Sequence, residues 1–152
     1  MKVLVLGMGN PILSDDGVGL FVARGMEGKI PGVDVVTTEM VGLNILDILM
    51  GYDTLFLIDA ATTKTKSIGE VHKLKEGTGS LHLFSSHGVN FPELMQLGKE
   101  FGYKMPEVAA IYGIEIGDEA FFGEGLSLEL AQKFDSIIGD IREDIASVLV
   151  GL

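Results

Sequence analysis

Four side chains stand where chemistry is commonly done: Asp15 and Asp16, Asp59, and His87. Asp15-Asp16 follows a glycine-rich turn, Gly7-Met8-Gly9-Asn10-Pro11, and precedes an apolar pattern of helical period. A helix start has a single N-cap position, where an aspartate accepts backbone N–H bonds and favours the helix dipole. We expect one of the pair to cap, which leaves the other carboxylate for a second task. Asp59 ends the apolar run Leu55-Phe56-Leu57-Ile58, and His87 sits in Ser85-Ser86-His87-Gly88. Taken singly, Asp59 reads as a turn residue and His87 as a solvated loop imidazole. Taken together, two carboxylates and one imidazole make a donor set for a divalent metal with positions left open. Imidazole suits nickel, zinc or iron, whereas oxygen ligands alone suit magnesium or calcium. With one nitrogen donor and no thiolate, free metal should bind weakly unless a partner supplies further ligands.

Other chemistries are missing from the chain. There is no cysteine among the 152 residues, so disulfides, thiolate catalysis and cysteine-type zinc sites are excluded. A His-Glu-x-x-His motif, a nucleophile elbow and a phosphate loop ending in Gly-Lys-Ser/Thr are also absent. Gly7-x-Gly9 lacks the third glycine of a dinucleotide fingerprint, and Asp15-Asp16 would repel a pyrophosphate at that helix start. The net charge of −11 opposes nucleic acid, whose binding depends on Lys and Arg against phosphate. No apolar run approaches the ~18 residues that span a bilayer. Met1-Lys2-Val3-Leu4-Val5-Leu6 is too short for a signal peptide's apolar region and reads as the first core strand of a cytoplasmic protein. Met8 and Met40 are candidates for an adaptable docking surface, although most of the methionines read as core.

The elements that must position these residues follow from apolar spacing. Strands are expected over residues 2–6, 33–37, 55–58, 70–74 and 108–116. Helices are expected after Asp16, around Leu43 to Leu49, from Asn90 to near Gly102, and after Ser127. Asn90 is the expected cap of the third helix, with Leu94, Leu97 and Phe101 facing inward. The last helix carries Leu130, Phe134, Ile137, Ile141, Ile145 and Val148 on its inner stripe. Such alternation marks a layered α/β fold in one domain over residues 1–152. Strands 1 to 3 are expected to be parallel because each crossover holds a helix. Only residues 61–69 precede strand 4, too few for a helical crossover, so strand 4 should run antiparallel.

With strand 2 on one side of strand 1 and strand 3 on the other, the loops leaving strands 1 and 3 diverge. A crevice opens there, at the end where open α/β sheets bind ligands. Asp16 and Asp59 would face each other across it, and His87 would join them from the start of the helix leading into strand 5.

The ordered set of motifs resembles the hydrogenase maturation proteases. Their opening block corresponds to Gly7-Met8-Gly9-Asn10-Pro11-Ile12-Leu13-Ser14-Asp15-Asp16-Gly17-Val18-Gly19. Their Asp-Ala strand end corresponds to Ile58-Asp59-Ala60, their His element to Ser85-Ser86-His87, and later blocks to Pro92-Glu93-Leu94, Gly113-Ile114-Glu115 and Leu126-Ser127. The resemblance covers the chain in order. It implies a three-layer α/β/α sandwich of the phosphorylase/hydrolase-like kind, with a five-stranded mixed sheet of order 2-1-3-5-4. It implies Asp16, Asp59 and His87 as metal ligands and catalytic residues, and a hydrogenase large-subunit precursor as partner. The implied reaction is one cut that removes the C-terminal extension of that precursor after nickel insertion, with the substrate's nickel as recognition element. One departure is Thr37-Thr38-Glu39, where many members carry Asp-Gly-Gly. Either metal-assisted hydrolysis or a carboxylate acting as general base, Asp16 or Asp15, would serve the cut. No nucleophilic triad is present.

Three other readings share parts of this pattern. Peptidyl-tRNA hydrolases also open with Gly-x-Gly-Asn-Pro, but the Arg-His-Asn element that should follow is replaced by Asp15-Asp16-Gly17. A non-cleaving nickel-dependent docking or carrier module would use the same residues. A spore-type protease relative would share the fold and act on other substrates.

Overall fold

A computed structural model of the chain describes residues 1–39, 44–74, 91–117, 123 and 125–152. The elements are β1 (Val3–Met8), a 3-10 turn (Ser14–Gly17), α1 (Val18–Arg24), β2 (Val33–Thr38), α2 (Asn44–Leu49), β3 (Thr54–Ala61), β4 (Val71–Leu74), α3 (Phe91–Glu100), β5 (Glu107–Glu115) and α4 (Leu128–Val150). They build one five-stranded sheet of order β2-β1-β3-β5-β4. β1 lies parallel to both β2 and β3, and β3 lies parallel to β5. β4 pairs with β5 antiparallel, as the short β3–β4 connection requires.

Burial explains why the inner strands read as unbroken apolar runs. Every residue of β1 and of β3 is buried, because helices cover both sheet faces. On one face Val5, Phe56, Ile58, Tyr112 and Ile114 pack under α1 and α4. On the other, Leu4, Leu6, Leu57 and Ile111 pack under Ile45, Leu46 and Leu49 of α2 and Phe91 and Leu94 of α3. The α/β/α sandwich follows from the period-2 alternation of side chains in each strand. No described helix is long and apolar enough to cross a membrane.

Several boundaries differ from the sequence reading. β1 runs on through Gly7 and Met8, and β3 through Asp59 to Ala61, because each strand continues to the rim of the sheet. Met8 is 2% exposed and belongs to the core rather than to a docking surface; Met40 lies outside the described residues. Phe101 is 57% exposed and packs edge-on against the Tyr103 ring at 5.9 Å, so it does not face inward. Helix α3 ends one residue before it, and Gly102 then takes φ +83°, the left-handed conformation that closes a helix. Asn90, the expected cap, lies outside the described residues. Ser127 does cap α4, its hydroxyl accepting from the Leu130 amide at 3.4 Å.

Candidate functional site

The fork between β1 and β3 is closed by backbone contacts that only glycine permits. A Cβ on Gly19 of α1 would lie 2.5 Å from the Met8 carbonyl oxygen, 2.6 Å from that of Ile58 and 2.8 Å from the Asp59 Cα. A Cβ on Gly9 would lie 2.5 Å from the Asp16 carbonyl oxygen. The turn carrying Asp16 therefore packs on Gly9 just past β1, and the start of α1 that follows it packs on the ends of β1 and β3, against Asp59. Glycines at this spacing in the sequence are the local cause.

Neither aspartate caps α1. Its N-cap is Gly17, without a side-chain cap bond, because a 3-10 turn containing both carboxylates intervenes before the helix. Asp15 instead reaches across the chain. Its Oδ1 accepts from the Ser127 amide at 2.7 Å and its Oδ2 accepts from the Ser127 hydroxyl at 2.8 Å. The carboxylate thus sits at the N-terminus of α4, where the helix dipole favours negative charge. The same segment grips the turn by its backbone. Ser14 N donates to Gly123 O at 2.9 Å, Gly123 N donates to Ile12 O at 2.8 Å, and the Ser14 hydroxyl donates to Gly125 O at 3.0 Å. Ser14 holds φ +48°, a conformation non-glycine residues rarely adopt, and these contacts sustain it. Asp16, the half-buried neighbour, accepts from the Asn10 amide at 3.2 Å through Oδ2.

Asp59 is 3% exposed, and its Oδ1 accepts from the Ala60 amide at 2.8 Å. By strand parity it points to the face covered by α2 and α3, with Leu57 and Ala61. His87 lies outside the described residues. Among the described residues no three His, Asp or Glu side chains group closely enough to hold a metal ion. Glu39, which follows β2 at the place of the Asp-Gly-Gly stretch, is exposed.

A polar cluster that the sequence reading did not assemble lies on the same sheet face. Glu115, 2% exposed, accepts from His72 Nε2 at 2.8 Å, from the Thr63 amide at 2.9 Å and from the Thr63 hydroxyl. Burial alone would raise its pKa, but the bonds from Thr63 and His72 outweigh burial and hold it below the ordinary glutamate value. The available signal was a carboxylate ending an apolar strand, Tyr112-Gly113-Ile114-Glu115, with a histidine at alternate spacing from Leu74.

On the opposite layer, Val71, Lys73, Tyr112, Asp140, Ile141 and Asp144 line a cavity of about 170 Å³. There the Tyr112 hydroxyl donates to Asp144 at 2.6 Å and Lys73 pairs with Asp144 at 2.9 Å. Burial first, then Asp144, pushes the phenol well above its usual range, so Tyr112 is a fixed donor that ties β5 to α4.

No family model matches the sequence. The chain is 28% identical over 79 residues to the hydrogenase 2 maturation protease of Escherichia coli strain K12, a match covering 50% of this chain and 48% of that relative, about half the length of each. Among solved structures, the hydrogenase maturating endopeptidase HybD from E. coli superposes with a TM-score of 0.73 at 20% identity, over 93% of this chain and 90% of that one. The NiFe hydrogenase maturation protease HybD from Thermococcus kodakarensis gives 0.68 at 25% identity, over 96% and 99%. In fold, and across half of its sequence, the chain is similar to the hydrogenase maturation endopeptidases.

Proposed function

We propose that this chain is an endopeptidase that removes the C-terminal extension of a nickel-loaded hydrogenase large-subunit precursor in the cytoplasm, working as one catalytic domain. The observation that carries the reading is the fork at the ends of β1 and β3. There the Asp16 turn packs on Gly9 and the helix that follows it packs on the strand end of the buried Asp59, in a fold similar to that of the maturation endopeptidases. Asp16, Asp59 and His87 are the residues assigned to the reacting end, His87 on the strength of its motif.

Nickel enters this proposal as part of the substrate. Carboxylate oxygens and one imidazole would add donors to a nickel ion already held by the precursor, and such a donor set leaves positions open for the scissile carbonyl or a water. Asp16 stands on a turn braced from two sides and is the group suited to take a proton from attacking water or to fix the metal's orientation. Asp59, enclosed by the sheet and helices, contributes a carboxylate whose direction is set by its strand.

Incubating the protein with nickel-loaded precursor and measuring intact mass tests the proposal. One C-terminal truncation of the precursor is expected. Stable binding without a mass change would overturn cleavage in favour of a docking module.

A further inference from the structure

The ladder around Asp59 is one-sided. Pairing of β3 with β1 stops at Ile58–Gly7, whereas pairing with β5 continues through Asp59–Gly113, Ala60–Ile114 and Ala61–Glu115. Residues Asp59 to Ala61 are therefore held in an extended form by β5 alone within the sheet. Just beyond them, Thr63 gives both its amide and its hydroxyl to Glu115, and the Ile116 amide donates to Ala61 O at 2.9 Å. Glu115 is fixed in turn by His72 of the next strand.

Register places these groups in one row. Gly113 pairs with Asp59 on one side and with His72 on the other, so Asp59 and His72 project from the same face with no side chain between them. At ~4.8 Å per strand spacing their Cα atoms are roughly 10 Å apart. Glu115, two residues past Gly113, shares that face. Its own hydrogen bonds turn the carboxylate toward Thr63 and His72.

We infer that Glu115, with His72 and Thr63, is a positioning cluster for Asp59: it fastens the half-paired end of β3 so that the Asp59 carboxylate keeps its direction. The inference rests on the proposed peptidase reading for its activity consequence, but its structural consequence is independent of it. The Ala60 amide, bonded to Asp59 Oδ1, reports that direction directly.

The test uses the full chain with Glu115→Gln, Thr63→Val and the conservative Thr63→Ser. In Glu115→Gln and Thr63→Val the Ala60 amide should shift in NMR spectra and exchange at least about tenfold faster, while the Leu57 amide is unchanged. With nickel-loaded precursor, kcat should fall about ten- to a hundredfold at nearly constant KM, the scale of a misplaced reacting group. Thr63→Ser, which keeps the hydroxyl, should recover most of both signals. Should Glu115→Gln fail to fold, the milder Thr63→Val decides. An unmoved Ala60 amide in the folded variants overturns the inference, as does parental kcat. If the parent chain itself cleaves nothing, the peptidase reading fails, and the Ala60 amide alone then decides the positioning role.

Discussion

Replacing Asp15 by alanine separates the two adjacent carboxylates by what each one touches. The substitution removes two hydrogen bonds to Ser127, at 2.7 and 2.8 Å, and a negative charge at the start of α4. A hydrogen bond to a charged group contributes about 1.5–3 kcal/mol, and a charge at a helix end about 0.3–1 kcal/mol. Discounted for partial solvent access, the total loss is about 2–4 kcal/mol. At about 2–4 °C per kcal/mol for a chain of this size, the melting midpoint should fall by roughly 8 °C. Asp16→Ala removes one bond of the same charged kind, the 3.2 Å bond from the Asn10 amide, about 1.5–3 kcal/mol before the same discount, and should lower melting less. Cleavage should show the reverse order, with Asp16→Ala inactive and Asp15→Ala weakened by a looser turn. Calorimetry and intact-mass cleavage on both variants measure the two effects. An Asp15→Ala protein that melts with the parent but no longer cleaves would refute this division of roles.

Gly19→Ala should destabilise the fold by several kcal/mol, read by urea denaturation, because its Cβ would meet two carbonyl oxygens and a Cα that belong to the sheet backbone. Asp59→Asn should keep the fold and lose precursor cleavage, checked by circular dichroism and intact mass. Nickel titration of the free protein should give no submicromolar affinity, since nitrogen donors are few; a tighter constant from calorimetry would contradict the assignment of nickel to the substrate. Glu115 has a folded pKa held below its unfolded value, so its stabilisation is present above the unfolded pKa and is lost as pH falls through the folded one. Denaturant midpoints between pH 6 and 3 should therefore fall more steeply for the parent than for Glu115→Gln.

Legibility differed by the range of the interaction that decided each feature. Val3 to Leu6 and Leu55 to Ile58 are read as strands from apolar runs alone, and the short 61–69 connection already required β4 to reverse. The fork between β1 and β3 followed from strand order, which the motif series supplied. What the spacing of Asp15 and Asp16 concealed is a partner 112 residues away: local rules offered a helix cap, and Ser127 took the carboxylate instead. Phe101 fitted the inward stripe of α3 by period, but the helix ends at Glu100 and the turn at Gly102 swings the ring outward. His72 was overlooked because a four-residue strand carries too little alternation to declare its faces, and only the register with Gly113 aligns it with Asp59.

The grip of Gly123, Gly125 and Ser127 on the Asp16 turn also has a meaning in time. Chains are synthesised from the N-terminus, and contacts between distant residues form late. The turn that carries Asp16 is made well before its partners, and Ser14 and Asp15 find them only when Gly123, Gly125 and Ser127 arrive. Until then the strained Ser14 has little to hold it, and the turn is free to relax. A chain still on the ribosome would carry its acidic residues without their working arrangement. That arrangement would be completed by the docking of α4.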